Sequence, residues 1–146
     1  MDKRVRSPNY PALSLPEAIE KIKVLYSALH THAAPREVIA KAIGYAGLNG
    51  ASATAISALN KYGLLDRQGD EHRLSDRARQ ILAPLSEQEK SEALWQAAFS
   101  PPLFAELAEK FPGRINDDLL KNYLSRKGFA PGALAGVVQA YRETSD

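Results

Sequence analysis

The chain has 146 residues, of which 45% are hydrophobic and 25% are charged, and its formal net charge is +2. This size and composition exclude a disordered chain and indicate one domain, or one small domain with a helical extension. The absence of cysteine excludes disulfides, a thiolate nucleophile and cysteine-ligated zinc. No apolar run approaches the ~20 residues of a membrane helix, and residues 1–4 lack the apolar segment of a signal peptide. We therefore expect a cytoplasmic protein that does not enter a membrane.

The charge is distributed unevenly along the chain. Residues 1–80 contain twelve Lys or Arg against eight acidic residues, a net charge of +4. Residues 81–146 contain seven against nine, a net charge of −2. A basic first part joined to a mildly acidic second part is typical of a protein in which only the first part contacts phosphate.

A basic arm, residues 1–12, precedes the first predicted helix. Ser14 and Glu17 have the spacing of a capping box, in which each side chain satisfies a backbone N–H of the other. Apolar residues then recur at helical spacing as far as Leu29. Residues 30–34 are predicted to form a loop.

Two short helices joined by a tight turn are predicted next. The first spans Pro35–Ile43, with Pro35 at the first helical position, where its missing N–H costs no hydrogen bond. Gly44 ends this helix, and a turn leads to the second helix, Ala51–Tyr62. Gly63 can adopt the left-handed conformation that closes it.

A small two-stranded hairpin follows the second helix at once. Its strands, 64–67 and 72–74, flank the polar loop 68–71, which contains the glycine that such turns need. Two helices followed by a hairpin are the plan of a winged helix-turn-helix, a fold that places its second helix in the major groove of DNA. We therefore predict a mainly α-helical protein with a winged helix-turn-helix domain at residues 13–83.

Residues 84–146 predict a C-terminal extension of amphipathic helices, separated by breakers such as Pro112-Gly113 and Gly128. A second capping box, Ser86 to Glu89, opens the first of them. In the simpler interpretation the aromatic residues of the extension fill a helical core of its own. In the alternative they pack against a second copy, and we favour a homodimer because such DNA-binding motifs commonly engage paired half-sites. These aromatic residues are Trp95, Phe99, Phe104 and Phe111.

Three segments of the sequence resemble a known family. They are Leu13–Ala18, Gly50–Leu65 and Tyr123–Leu134. With them, the chain from about residue 10 onward resembles a family of small prokaryotic winged helix-turn-helix proteins of poorly defined function. The resemblance implies a DNA-binding or DNA-binding-derived module of a bacterium, archaeon or phage, and it implies no particular ligand.

The second helix of the motif carries the candidate base-reading residues. Its core side contains Ala55, Ile56 and Leu59. The opposite side offers the polar residues Ser52, Thr54, Ser57, Asn60 and Lys61. Ser and Thr can bind bases or phosphates, but the strong bidentate readers Arg and Gln are absent, so high sequence specificity is not expected. The alternative is that small residues serve close packing inside the domain; we favour DNA contact because of the docking geometry of this fold.

The hairpin adds a local positive group for the minor groove or flanking phosphates, with Arg67 and Arg73 as the main candidates. Its candidate DNA-binding residues are Arg67, Gln68, His72 and Arg73. The alternative is a solvated hairpin, because Asp66, Asp70 and Glu71 dilute the positive charge.

Further basic residues are weaker candidates. On the first helix of the motif, Arg36 and Lys41 can each contact one phosphate or simply face solvent. In the arm, Lys3, Arg4 and Arg6 can enter a minor groove, although a short basic terminus is more commonly disordered.

No arrangement of residues predicts catalysis. His30 and His32 lie in a loop without a third ligand at metal-site spacing. Asp117 and Asp118 lie where a helix N-terminus favours negative charge, and no nucleophile motif surrounds a serine. We expect no enzyme, no cofactor and no metal site.

Two classes of function stay open. The first is a DNA-binding protein, such as a transcriptional, plasmid or phage regulator. The second is a protein–protein interaction module that kept the winged scaffold without DNA binding, with the C-terminal helices as a contact for the partner. A continuous positive stripe would support the first class, and scattered charge beside an exposed apolar patch would support the second. The stripe would join Arg36, Lys61, Arg67 and Arg73.

Overall fold

The computed structural model describes residues 10–113 and 116–145. This part is mainly α-helical, as predicted, with eight α-helices and one small three-stranded antiparallel sheet. The arm residues Lys3, Arg4 and Arg6 lie outside the described residues. In chain order the elements are α1 (Leu15–Leu29), β1 (Ala34–Pro35), α2 (Arg36–Ala42), α3 (Gly50–Lys61), β2 (Leu65–Gln68), β3 (Glu71–Leu74), α4 (Asp76–Leu82), α5 (Glu87–Ala98), α6 (Pro102–Lys110), α7 (Asp117–Arg126), a short 3₁₀ helix (Pro131–Ala133) and α8 (Leu134–Ser145). No described helix is both long and apolar enough to cross a membrane.

The predicted capping box at the start of α1 is confirmed. The hydroxyl oxygen of Ser14 accepts a hydrogen bond from the backbone N–H of Glu17, and the Glu17 carboxylate accepts one from the backbone N–H of Ser14. The helix then buries one face, which includes Ile22 and Leu25. Helix α1 contacts α2, α3 and α8.

The predicted two-stranded hairpin forms from β2 and β3, but the sheet contains a third strand that was not predicted. A short strand, β1, pairs antiparallel with β3, so that Ala34 lies opposite His72 and Pro35 opposite Glu71. Pro35 is therefore not the first residue of the helix, because it is the extended N-cap of α2 with ψ 156°. A proline is tolerated there because β1 is an edge strand. This pairing holds Arg36, the first residue of α2, beside the hairpin.

The end of α3 fixes the direction in which the hairpin leaves it. Gly63 has φ 73°, as predicted. The N–H of Gly63 donates to the carbonyl of Asn60, and the N–H of Leu64 donates to that of Leu59. This pair of bonds is a Schellman motif, which satisfies carbonyls at the end of the helix. A Cβ at position 63 would also collide with the Arg77 guanidinium.

The hydrophobic core continues from α1 and α3 into the C-terminal helices. Phe104 of α6 is fully buried, with its ring centroid 6.4 Å from that of Tyr62 and 5.4 Å from that of Tyr141. The Tyr62 hydroxyl donates to the carbonyl of Leu13 at 2.7 Å and lies 3.2 Å from Oγ1 of Thr144. We call Tyr62, Phe104, Tyr141 and Thr144 the aromatic junction. The expectation that the extension keeps a core of its own is thus wrong for Phe104.

The other aromatic residues of the extension lie outside the junction. Trp95 is 66% exposed and packs against Phe99 at a ring distance of 5.4 Å. Phe111 contacts Tyr123 edge to face at 5.1 Å. Trp95 is therefore the residue of this group that a partner can reach most easily.

Candidate functional site

A cleft of about 440 Å³ lies between α3 and the hairpin formed by β2 and β3. Its walls come from the start of α2, the outer side of α3, and the hairpin with its turn. The residues that line it are Arg36, Ala53, Ile56, Ser57, Asn60, Arg67, Asp70 and His72. Five of these, Arg36, Ser57, Asn60, Arg67 and His72, are among the candidate DNA-binding residues predicted from the sequence.

The register of the hairpin decides which of its residues face the cleft. Arg67 pairs directly with His72 across the two strands, and Asp66 pairs with Arg73. Directly opposed residues share one face of a sheet, and neighbouring pairs alternate between faces. Arg67 and His72 therefore lie on the cleft side, whereas Arg73 lies on the opposite side and does not line the cleft.

His72 is the most buried polar residue of the cleft, with 7% of its surface exposed. Its Nδ1 atom is buried and has no hydrogen-bond partner among the described residues. Burial lowers the pKa of His72 below its ordinary value, and the positive charges of Arg67 and Arg36 lower it further. The imidazole is therefore neutral at neutral pH, with one nitrogen that can donate and one that can accept.

The two arginines bring positive charge to the cleft from two elements, α2 and β2. The Nε of Arg67 donates to the carbonyl of Gly69 at 2.9 Å, and among the described residues the terminal nitrogens of its guanidinium have no hydrogen-bond partner. Within the described residues, neither Arg36 nor Arg67 has a carboxylate at ion-pair distance. Asp70, in the hairpin turn, is the carboxylate that lines the cleft. The two guanidinium groups can therefore bind an anion.

The polar residues on the outer side of α3 are partly used by the helix itself. The Thr54 hydroxyl donates to the carbonyl of Gly50, and the Asn60 amide donates to that of Ile56. The Lys61 ammonium donates to the Ser57 hydroxyl at 2.6 Å, which places Lys61 at the edge of the cleft. These side chains keep only part of their hydrogen-bonding capacity for another molecule.

Ser52 does not face outward, so the prediction that it belongs to the outer side of α3 is wrong. It is fully buried, and its hydroxyl accepts from the N–H of Asn49 and donates to the carbonyl of Gly47. Asn49 and Ser52 form a capping box that begins α3. The Asn at the N-cap was the sequence signal for it, but Ser replaces the usual Glu or Gln at the third helical position.

The remaining predicted residues do not line the cleft. Lys41 is exposed on α2, and Gln68 is exposed on β2 opposite Glu71. Sequence reasoning missed Ala53, Ile56 and Asp70 as part of the site, because their place depends on how the hairpin folds back toward α3. Within the described residues, no group of three or more His, Asp or Glu could hold a metal ion.

No family model, no curated protein and no solved structure matches this chain. The resemblance to small prokaryotic winged helix-turn-helix proteins thus stays an untested prediction. The case for any function rests on α3, the hairpin and the cleft between them.

Proposed function

We propose that the protein binds double-stranded DNA as a winged helix-turn-helix, with α2 and α3 as the motif and the hairpin as the wing. In this proposal α3 enters the major groove, and the wing contacts the backbone or the minor groove. The observation that carries the proposal is the position of Arg36 and Arg67, which line the cleft beside α3 and have no ion-pair partners among the described residues. The protein would then act in the cytoplasm as a prokaryotic transcriptional, plasmid or phage regulator.

The order of the elements supports this proposal. Helix, strand, helix, helix, strand and strand follow one another from α1 to β3, and β1 closes the small sheet beside the hairpin. The outer side of α3 carries small residues, among them Ala51 and Thr54, which are exposed. Small side chains allow a helix backbone to come close to the floor of a groove.

The chemistry of the surface favours phosphate contacts over base reading. Arg36, Arg67 and the nearby Lys61 supply positive charge, whereas Thr54 and Asn60 have committed a donor to the helix backbone. Phosphate contacts position a protein on DNA but carry no sequence information directly. We therefore expect measurable affinity for DNA of any sequence and a modest preference among sequences.

The salt dependence of binding to a random-sequence duplex tests the proposal. Fluorescence anisotropy should show binding at low salt that weakens steeply as salt increases, since each phosphate contact contributes about −0.9 to the slope of log K against log salt. Ser57→Glu should abolish this binding, because it places a carboxylate in the cleft. Ser91→Glu, the same change at an exposed serine of α5 outside the cleft, is the matched control. Absence of binding by the unmodified chain at low salt would contradict the proposal.

The second candidate function is a protein–protein interaction module on the same scaffold without DNA binding. The observation in its favour is an apolar groove of about 370 Å³ between α1 and α5, beside the exposed ring of Trp95. Large exposed apolar patches mark sites of protein contact. Under this alternative the duplex experiment would show no binding.

A homodimer is compatible with either function and has its own test. Light scattering after size-exclusion chromatography should give twice the mass of the chain. Trp95→Glu should then yield a monomer if the groove beside α5 is the contact, whereas Leu119→Glu, at a second exposed apolar position, should not. A monomer for the unmodified chain would contradict the homodimer.

A further inference from the structure

His72, which lines the cleft, has a buried polar atom that no described residue hydrogen-bonds. Nδ1 of His72 has no hydrogen-bond partner among the described residues, although 93% of the residue's surface is buried. Nearly all buried polar groups in folded proteins are hydrogen-bonded, and an exception in a cleft is a candidate for contact with a ligand. The Tyr62 hydroxyl, which is also buried, has partners in Leu13 and Thr144. Among the described residues, Nδ1 of His72 is the buried side-chain polar atom that lacks a partner.

The charges around His72 define the chemistry of such a ligand. Arg36 and Arg67 both lie close enough to lower the pKa of His72 through their positive charges. A guanidinium presents a planar fork of donors that matches the oxygens of a phosphate. Asp70 opposes an anion, but it contributes one negative charge against two positive ones.

The size and walls of the cleft indicate more than a bare ion. Its volume of about 440 Å³ falls within the range of about 300–1,000 Å³ that is typical of small-molecule sites. Ala53 and Ile56 provide an apolar wall, and Ser57 and Asn60 provide polar groups beside it. This combination suits a ligand with a charged group at one end and an organic body at the other.

We propose that the cleft binds a small organic phosphate, with its phosphate group between Arg36 and Arg67 beside His72 and its organic part against Ala53 and Ile56. The ligand would lie on the face of α3 that we propose for DNA. A bound phosphate would neutralise the two guanidinium groups and repel the DNA backbone. This competition rests on the proposed function, whereas the binding itself does not.

The three histidines of the chain offer a direct readout. Long-range ¹H–¹⁵N correlation spectra of the full, ¹⁵N-labelled chain report the imidazoles of His30, His32 and His72. The probes are inorganic phosphate, adenosine 5′-monophosphate and adenosine, each added without DNA at constant pH and ionic strength. Both phosphates should shift the His72 signals saturably, the mononucleotide at lower concentration, while His30 and His32 stay unchanged. His72 signals that respond to neither phosphate at millimolar concentration would overturn the proposal.

Matched arginine variants show whether the mononucleotide binds at a defined site or is attracted by any positive charge on the surface. Arg36→Ala and Arg67→Ala should each weaken binding of the mononucleotide about tenfold, the effect of losing a charge-assisted hydrogen bond. Arg73→Ala removes the same charge from the other face of the hairpin and should leave the affinity unchanged. Equal losses in all three variants would overturn the proposal.

A duplex of random sequence distinguishes a free ligand from a phosphate of DNA. If the duplex shifts His72 and neither small phosphate does, the cleft accepts only DNA phosphate, and the small-ligand proposal fails while DNA binding stands. If the small phosphates shift His72 and no duplex binds, the ligand site stands and the proposed function fails. If both bind, the mononucleotide should weaken DNA binding in the anisotropy assay.

Discussion

At the C-terminal end of α3, the buried hydroxyl of Tyr62 has two oxygen atoms at hydrogen-bond distance. In the cleft along the same helix, His72 has a buried imidazole nitrogen with no hydrogen-bond partner among the described residues. Burial raises the pKa of Tyr62 well above its ordinary value, so the phenol stays protonated and donates. The polar group of the aromatic junction thus has its hydrogen-bond partners within the protein, and the junction stabilises the fold. The cleft, in contrast, keeps polar groups that can bind another molecule, because its two arginines lack ion-pair partners among the described residues. This difference is the reason why the cleft, and not the junction, is the binding site that we propose.

We expect the largest loss of stability from a substitution that disrupts the aromatic junction. Phe104→Ala should lower the free energy of unfolding by about 3–5 kcal/mol, since it leaves a cavity between Tyr62 and Tyr141. Chemical denaturation measures this loss. Phe99→Ala, at a half-buried ring that contacts Trp95, is the control and should cost less. Equal costs would show that the junction has no special part in joining α3 to the C-terminal helices.

A smaller change tests the hydrogen bonds of the junction alone. Tyr62→Phe keeps the ring and removes the hydroxyl, so the Leu13 carbonyl loses its donor. We expect the free energy of unfolding to decrease by about 1–2 kcal/mol. Tyr26→Phe, at a tyrosine that is 36% exposed, should have no measurable effect. A neutral Tyr62→Phe would mean that the junction is held together by packing alone.

The smallest effect concerns pH and the cleft. The pKa of His72 is lowered in the folded state. As pH falls through 6.5, the ordinary pKa of a histidine, the unfolded chain therefore binds a proton at this residue before the folded chain does. His72 should therefore leave the free energy of unfolding unchanged above about pH 6.5 and lower it progressively as pH falls below that value. Denaturation at a series of pH values should show a shallower acid-side decrease for His72→Gln than for the unmodified chain. His32→Gln, in the exposed loop before β1, serves as the control. An unchanged pH profile for His72→Gln would contradict the burial of a neutral imidazole.

Local signals in the sequence predicted much of the fold. The capping box of Ser14 and Glu17 and the left-handed Gly63 depend on residues within a few positions, and both are confirmed. The second predicted capping box is only half formed. The Ser86 hydroxyl accepts from the N–H of Glu89, but the Glu89 carboxylate accepts from the N–H of Leu85.

The features that sequence reasoning missed depend on contacts distant in the chain. Strand β1 is two residues long and exists because it pairs with β3, a contact that has no local signal. The predicted four-residue hairpin loop is instead the two-residue turn Gly69-Asp70. The predicted strands 64–67 and 72–74 also place Arg67 opposite His72, so the shorter turn leaves the register unchanged. The composition of the cleft depended on how the hairpin lies against α3, a contact distant in the chain, although most of its polar residues were predicted.

In the proposed function, the cleft side of the hairpin contacts DNA and its opposite side does not. The most direct test compares Arg67→Ala with Arg73→Ala in the salt dependence of binding to a random-sequence duplex. The two changes remove the same charge from opposite faces of one hairpin. We expect Arg67→Ala to reduce the salt slope by about one unit, the effect of one lost phosphate contact, and Arg73→Ala to leave the slope unchanged. Equal reductions, or a larger one for Arg73→Ala, would contradict this proposal.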